Sequence, residues 1–143
     1  MKVVVTGGAG FIGANLVRSL CNRPDVKDVV VVDDLSFGFR SNLDDLDVTF
    51  LKGSILDKHL VAEAMDGASS VVHLAARSSV PRSIAHPMAA HEDNTTGTAT
   101  ILEAARSKGN IQVIVASSSS VYGANETLPK HEGLAPRPVS PYA

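Results

Sequence analysis

The sequence predicts an α/β fold, a parallel sheet wound in both directions from its centre with helices on both faces. Three observations predict it. Five short β-branched apolar runs recur along the 143 residues. Helix-patterned segments separate them, and the runs are apolar almost without alternation, as strands buried on both faces require. Crossovers between parallel strands are right-handed, so the simplest arrangement of five such strands is the doubly wound (Rossmann) order 3-2-1-4-5.

The first run, Lys2–Thr6, leads straight into Gly7-Gly8-Ala9-Gly10-Phe11-Ile12-Gly13. Glycines spaced this way allow a tight turn, a close approach of backbone to an anion, and close packing of the following helix on the strand. That helix is expected over Phe11–Asn22, with its free N–H groups and the positive end of its dipole aimed at the turn. The second run, Asp28–Val32, ends in Asp33, about 20 residues past the last glycine, where a dinucleotide fingerprint places an acid for the ribose hydroxyls. The acid predicts NAD. A 2′-phosphate would meet carboxylates at Asp33 and Asp34 with no basic residue before Arg40.

A helical turn at Asn42–Asp45 precedes the third run, Val48–Lys52. A helix over Asp57–Met65, a fourth run Ser70–Leu74, a long helix from Pro87 to Ser107 and a fifth run Gln112–Ala116 complete the pattern. Lys108-Gly109 ends the long helix in the manner of a C-cap. Ligands of open α/β sheets bind at the carboxyl ends of the strands. There the chain places Gly7–Gly13, Asp33, Ser54-Ile55, Ala75-Ala76 and Ser117–Ser120. Beyond Tyr122 the composition is that of a loop, with four prolines before Ala143. Residues 1–124 therefore read as a dinucleotide-binding domain and 125–143 as a loop.

A net charge of −2 and a pI near 6.2 supply no basic footprint, so neither nucleic acid nor an anionic membrane is an expected partner. Cys21, the single cysteine, excludes an internal disulfide and multi-thiolate zinc sites, and suits a reducing cytoplasm. Glycines cut short the apolar stretch after Met1-Lys2, which argues against a signal peptide, and no window reaches the length of a membrane span. His86 and His91 lack the spacing of a helical metal pair, and no metal is assigned. His73 reads as a packed strand residue. Arg77 and Arg82, at the mouth of the fourth strand, suit either a diphosphate or solvated loop positions.

The glycine turn, Asp33, His73-Leu74-Ala75-Ala76, Asn94 within Glu92–Thr98, Ser117–Gly123 (SSSSVYG) and Ser140-Pro141-Tyr142 together resemble the extended short-chain dehydrogenases/reductases. Within that family the chain is most similar to sugar-nucleotide epimerases of the UDP-glucose 4-epimerase kind. The resemblance implies that Gly7, Gly10, Phe11, Ile12 and Gly13 hold the pyrophosphate of NAD and that Asp33 holds the adenosine ribose. Asp34 and Leu35 through Gly38, among them Ser36, together with Asn42, match the segment bordering the adenine and its ribose. Ser54-Ile55 stands where the family usually has Asp followed by an aliphatic residue, which weakens or replaces an adenine contact. Leu74, Ala75 and Ala76 match the nicotinamide side, and Asn94 matches a residue that fixes the active-site strand and helix.

For chemistry the resemblance implies Tyr142 as the base that removes a proton from a sugar hydroxyl, with Ser118 bonding the same oxygen while hydride passes to the nicotinamide. A free phenol, with a pKa of about 10, is a poor base at neutral pH. The family supplies a lysine four residues on, which here would be residue 146, and a C-terminal substrate domain with further strands. The 143-residue chain alone is therefore expected to bind NAD weakly and to show no epimerisation in a turnover assay.

Family dehydratases and decarboxylases carry an acid beside the catalytic hydroxyl, whereas here the neighbours are Ser119 and Ser120, which favours epimerisation of a UDP-sugar. Reduction or dehydration of a nucleotide sugar, or a non-catalytic dinucleotide-binding module, remain the alternatives. Related epimerases dimerise through two helices, the first matching Pro87–Ser107, so a homodimer is implied.

Overall fold

The computed structural model describes residues 1–143. Five parallel strands, β1 (Lys2–Thr6), β2 (Asp28–Asp33), β3 (Thr49–Lys52), β4 (Ser70–His73) and β5 (Gln112–Val115), form one sheet in the order β3-β2-β1-β4-β5. This is the order the sequence predicts. The helices are α1 (Phe11–Cys21), α2 (Lys58–Ala64), α3 (Val80–Ala85), α4 (Pro87–His91) and α5 (Gly97–Ser107).

Alternate valines of the central strands serve opposite faces. Val4, Val30, Val32 and Val71 pack against Val61, Ala64 and Met65 on and beside α2 and against Ile101 and Ala105 of α5. Val3, Val5, Val29 and Val31 pack against Ala14 and Val17 of α1 and against Leu43. Val4, Val5, Val17 and Val31 are wholly buried, each contributing roughly 1.5–3 kcal/mol relative to exposure. On this face Phe50 of β3 and Val72 of β4 are packed against the same cluster. Ile114, paired with Val72 at the β5 edge, is 52% exposed.

Local chemistry sets the element ends. The Asp57 carboxylate accepts from the N–H groups of His59 (2.9 Å) and Leu60 (3.2 Å) and so starts α2. Gly109 at φ +102° follows the end of α5.

Several sequence expectations need adjustment. β3 starts one residue later than Val48, and β4 and β5 each stop one residue short of Leu74 and Ala116. The turn expected at Asn42–Asp45 is a 3-10 turn over Arg40–Leu43. α3 lies where the sequence reads as loop, started by Ser79 Oγ accepting from Arg82 N (3.3 Å) with Pro81 in its first turn. The long helix is not uniform: α4 and α5 are joined through a π-helical turn at Glu92–Thr96.

Candidate functional site

Strand register builds the site. Thr6 lies level with Val32 on one side and His73 on the other, and His73 lies level with Val115. The next residues, Gly7, Asp33, Leu74 and Ala116, therefore emerge side by side where the chain's winding reverses between β1 and β4. They open into a crevice of about 420 Å³, within the range of ligand pockets.

One wall is the glycine turn. Gly7 takes φ +69°, and a Cβ there would lie 2.7 Å from Ala75 N. A Cβ on Gly13 would stand 2.6 Å from Gly8 Cα, so glycine lets α1 seat directly on the turn. Gly10 differs: a Cβ there would touch only Gly7 O, at 3.4 Å, although Gly10 lines the crevice. Its space is left open on the ligand side. α1 has Gly10 at its N-cap, with no side-chain cap and no acid in its first turn, so the N–H groups of Phe11, Ile12 and Gly13 are free to meet an anion.

Asp33, 8% exposed, ties two loops together. Its Oδ2 accepts from Ala9 N (2.9 Å) and its Oδ1 from Leu35 N (2.8 Å), where Leu35 is held at φ +64°. The carboxylate thus fixes the turn and the segment after β2 while also facing the crevice. Asp34 accepts from Ser36 N (2.8 Å) and from the Ser36 hydroxyl. Arg40, the first cation after them in sequence, is engaged with Asp44 (3.7 Å) and the Phe50 ring (5.0 Å). A dinucleotide with a free 2′-hydroxyl fits this end, and a 2′-phosphate finds no cation there.

Gly7, Gly10, Phe11, Ile12, Gly13, Asp33, Asp34, Ser36, Gly38, Ser54, Ile55, Leu74, Ala75, Ala76 and Tyr142 all line the crevice. Ser54 also caps its own turn, accepting from Leu56 N (3.1 Å). Three expected residues stand one layer back. Asn42 Nδ2 donates to Ala9 O (2.8 Å), bracing the glycine turn from behind. Asn94 holds the chain after β4 by both ends of its amide, accepting from Arg77 N (2.7 Å) and donating to Arg77 O (3.2 Å). Ser118 Oγ accepts from Ser120 N (3.2 Å), which caps a 3-10 turn at Ser119–Tyr122, while its neighbour Ser117 lines the crevice.

Val32, Phe37, Gly53, Ser78, Asp93, Ala116 and Ser117 also line it. Gly53, Ala116 and Ser117 were signalled by position, since each lies just past a strand end. Phe37 falls in the Leu35–Gly38 segment that the resemblance matches to the adenine side, and tertiary contact fixes its ring: the Arg77 and Arg82 guanidinium groups lie 5.6 and 5.3 Å from it. Arg77 is also committed to Asp93 by an ion pair of 2.6 Å, so it is neither a free loop charge nor an open diphosphate ligand.

Tyr142 reaches the crevice although the chain from Asn125 to Ala143 has no regular element. Its N–H donates to Ser83 Oγ (3.1 Å), and the buried Ser83 hydroxyl donates to Val80 O (2.8 Å). Arg137 N donates to Val121 O (2.9 Å) and Ala124 N to Arg137 O (3.1 Å), which folds the terminal segment back on the turn after β5.

His73 is 3% exposed, between Thr6 Oγ1 (2.7 Å) and Thr98 Oγ1 (3.0 Å). Burial pushes its pKa from 6.5 down to about 4. Between those values the unfolded chain takes up a proton that the folded chain refuses. The stabilisation from a neutral His73 is thus complete above pH 6.5 and lost as pH falls toward 4, about 3 kcal/mol in all. In denaturant titrations wild type should therefore lose more stability across that window than His73→Gln. Equal losses would contradict the burial account.

No group of three or more His, Cys, Asp or Glu side chains is placed to hold a metal ion, and no helix is long and apolar enough to cross a membrane.

Comparison with known proteins gives a consistent result. The family described as "NAD dependent epimerase/dehydratase family" matches residues 3–143. A UDP-glucose 4-epimerase of Erwinia amylovora is 37% identical over 90% of the chain and 40% of that protein. A dTDP-glucose 4,6-dehydratase of Streptomyces antibioticus is 38% identical over 100% of the chain and 45% of that protein. Among solved structures, UDP-glucose 4-epimerase from Brucella ovis in complex with NAD superimposes with a TM-score of 0.90 at 36% identity, covering 99% of this chain and 43% of that one. The chain spans less than half the length of these relatives. The glycine turn, the Asp33 carboxylate and Ser117 converge on one crevice, and the family match spans nearly all of the chain. The chain accordingly belongs to the NAD-dependent epimerase/dehydratase family.

Proposed function

We infer that the crevice binds NAD and that this chain forms the cofactor-binding part of a UDP-sugar 4-epimerase of the UDP-glucose/UDP-galactose type. The observation that carries the choice of epimerase over dehydratase is the lack of a free carboxylate beside the hydroxyls after β5. The acids lining the crevice are Asp33 and Asp34 at the far end and Asp93, which is committed to Arg77. Eliminating water from a sugar requires a group to deliver and remove a second proton. Ser119 and Ser120 supply none at pH 7.

In this reading the free N–H groups of Phe11, Ile12 and Gly13 meet the pyrophosphate, Asp33 accepts from the adenosine ribose, and Leu74–Ala76 border the nicotinamide. When bound, NAD supplies a hydride acceptor at the sugar carbon that becomes the donor for the return to its other face. Tyr142 takes the proton from the sugar 4-hydroxyl and gives it back, and Ser118 hydrogen-bonds the same oxygen. Exposed Ile84, Met88 and Leu102 on α3, α4 and α5 support a homodimer contact. The lone free cysteine suits a cytoplasmic setting.

In the full-length protein, Tyr142→Phe should lower kcat for UDP-galactose epimerisation by about 10²-fold or more with NAD affinity within a few-fold, because it removes only the proton carrier. A parallel Ser117→Ala and Ser118→Ala pair should place the larger kcat loss at Ser118. Retained epimerisation in Tyr142→Phe, or release of a 4-keto-6-deoxy sugar by wild type, would overturn the assignment. The second of these would identify a dehydratase.

A further inference from the structure

The hydrogen bonds around His73 have only one consistent direction. The Asn94 carbonyl can only accept, so the Thr98 hydroxyl spends its proton there, at 2.7 Å. Thr98 Oγ1 must then accept from His73 Nε2 at 3.0 Å, which places the imidazole proton on Nε2. A neutral ring leaves Nδ1 as an acceptor, and Thr6 Oγ1 donates to it at 2.7 Å. The Ala75 N–H donates to the same Thr6 oxygen at 3.3 Å. With the proton on Nδ1 instead, Thr98 would need one proton for two acceptors, and a bond would be lost in the interior. In the arrangement described, no buried side-chain polar atom is left without a partner.

Both ends of this series grip the same wall of the crevice. Ala75 lines it, and Asn94, whose carbonyl closes the series, clamps Arg77 N and O with its side chain. The series also crosses three elements, β1 through Thr6, β4 through His73 and α5 through Thr98. We propose that His73 is a positioning residue: as the Nε2–H tautomer it completes a one-way relay, Ala75 to Thr6 to His73 to Thr98 to Asn94, that holds the Leu74–Arg77 wall in place. Where it concerns cofactor affinity, this rests on the NAD reading above.

The test combines long-range ¹H–¹⁵N spectra of the imidazole, amide hydrogen exchange at Ala75, and NAD titration, on wild type, Thr98→Val, Thr98→Ser and Thr100→Val. Wild type should show the Nε2–H form alone. Thr98→Val removes the acceptor, so the proton should move to Nδ1, where Thr6 accepts it. Thr6 then holds Ala75 less well, and exchange at Ala75 should quicken about fivefold or more with a comparable loss of NAD affinity. Thr98→Ser restores the hydroxyl and should restore all three readouts. Thr100 makes the same bond to a carbonyl four residues back but does not bond to the imidazole, so Thr100→Val should change none of them. An Nδ1–H or mixed tautomer in wild type, or Ala75 exchange within twofold of wild type in Thr98→Val, would overturn the proposal. If wild type binds no NAD, the cofactor reading falls, and the tautomer and exchange results still decide the relay.

Discussion

Gly13→Ala is expected to abolish measurable NAD binding and to destabilise the fold by about 3 kcal/mol, the upper part of the range for overpacking a well-packed site. The added Cβ would stand 2.6 Å from Gly8 Cα and 2.9 Å from Gly7 C, and closer still to Gly7 O. All three are backbone atoms, so no side chain can swing aside. Relief requires α1 to lift from the turn, which moves the free N–H groups of its first turn away from the anion. Alanine is the better helix former by about 1 kcal/mol, but that gain is smaller than the cost of the clash. Gly10→Ala separates the two effects. Its Cβ meets only Gly7 O at 3.4 Å, so stability should stay within about 1 kcal/mol of wild type while NAD affinity falls, because the methyl takes up ligand space. Urea unfolding and calorimetric titration of the two variants check this. A stable Gly13→Ala that binds NAD normally would show that the close packing of turn on helix is not required.

Asp33→Asn should lower stability by about 2 kcal/mol and weaken NAD binding by at least about tenfold, without creating a preference for NADP. Each carboxylate oxygen of Asp33 accepts from a backbone N–H, Ala9 on one side and Leu35 on the other. An amide keeps one acceptor and turns its NH₂ on the other donor, in a site that is 8% exposed. Leu35 adds to the loss, because its φ of +64° is costly for a branched side chain and is held by that bond. NADP should not gain, because Arg40 stays engaged with Asp44 and Phe50. Unfolding midpoints and titrations with both dinucleotides provide the check. An Asp33→Asn protein as stable as wild type would mean that the loop tie carries little energy.

The sheet and the glycine turn were legible because they are written in short-range patterns. Runs such as Asp28–Val32 are too short and too β-branched for helices, and Gly7, Gly10, Gly13 and Asp33 keep a spacing that one supersecondary unit dictates. What escaped depends on contacts between segments distant in sequence. The resemblance places Phe37 in the segment after β2, but its packing against the Arg77 and Arg82 side chains is not written in any local pattern. α3 has a serine cap and a proline in its first turn, but six residues are too few for a periodic signal. The π-turn at Glu92–Thr96 buries no residue, so no burial pattern in the sequence sets it apart from α-helix. The places of Asn42 and Asn94 come from resemblance alone; Asn94 braces the chain after β4, in keeping with the fixing role the resemblance implies, and Asn42 braces the glycine turn from behind. In the sequence His73 reads as a packing residue. Its partners Thr6 and Thr98 lie far from it along the chain, and the relay emerges only in three dimensions.

The central claim is that the strand ends converge on one crevice shaped for NAD, and the most direct test is a ¹H–¹⁵N spectrum followed through titration with NAD and, separately, NADP. Saturable shifts with NAD are expected, concentrated in the amides of Gly7–Gly13, Asp33–Gly38 and Leu74–Ala76, with at least tenfold weaker binding of NADP. Absence of saturable shifts, shifts confined to residues outside the crevice, or equal affinity for the two dinucleotides would contradict it.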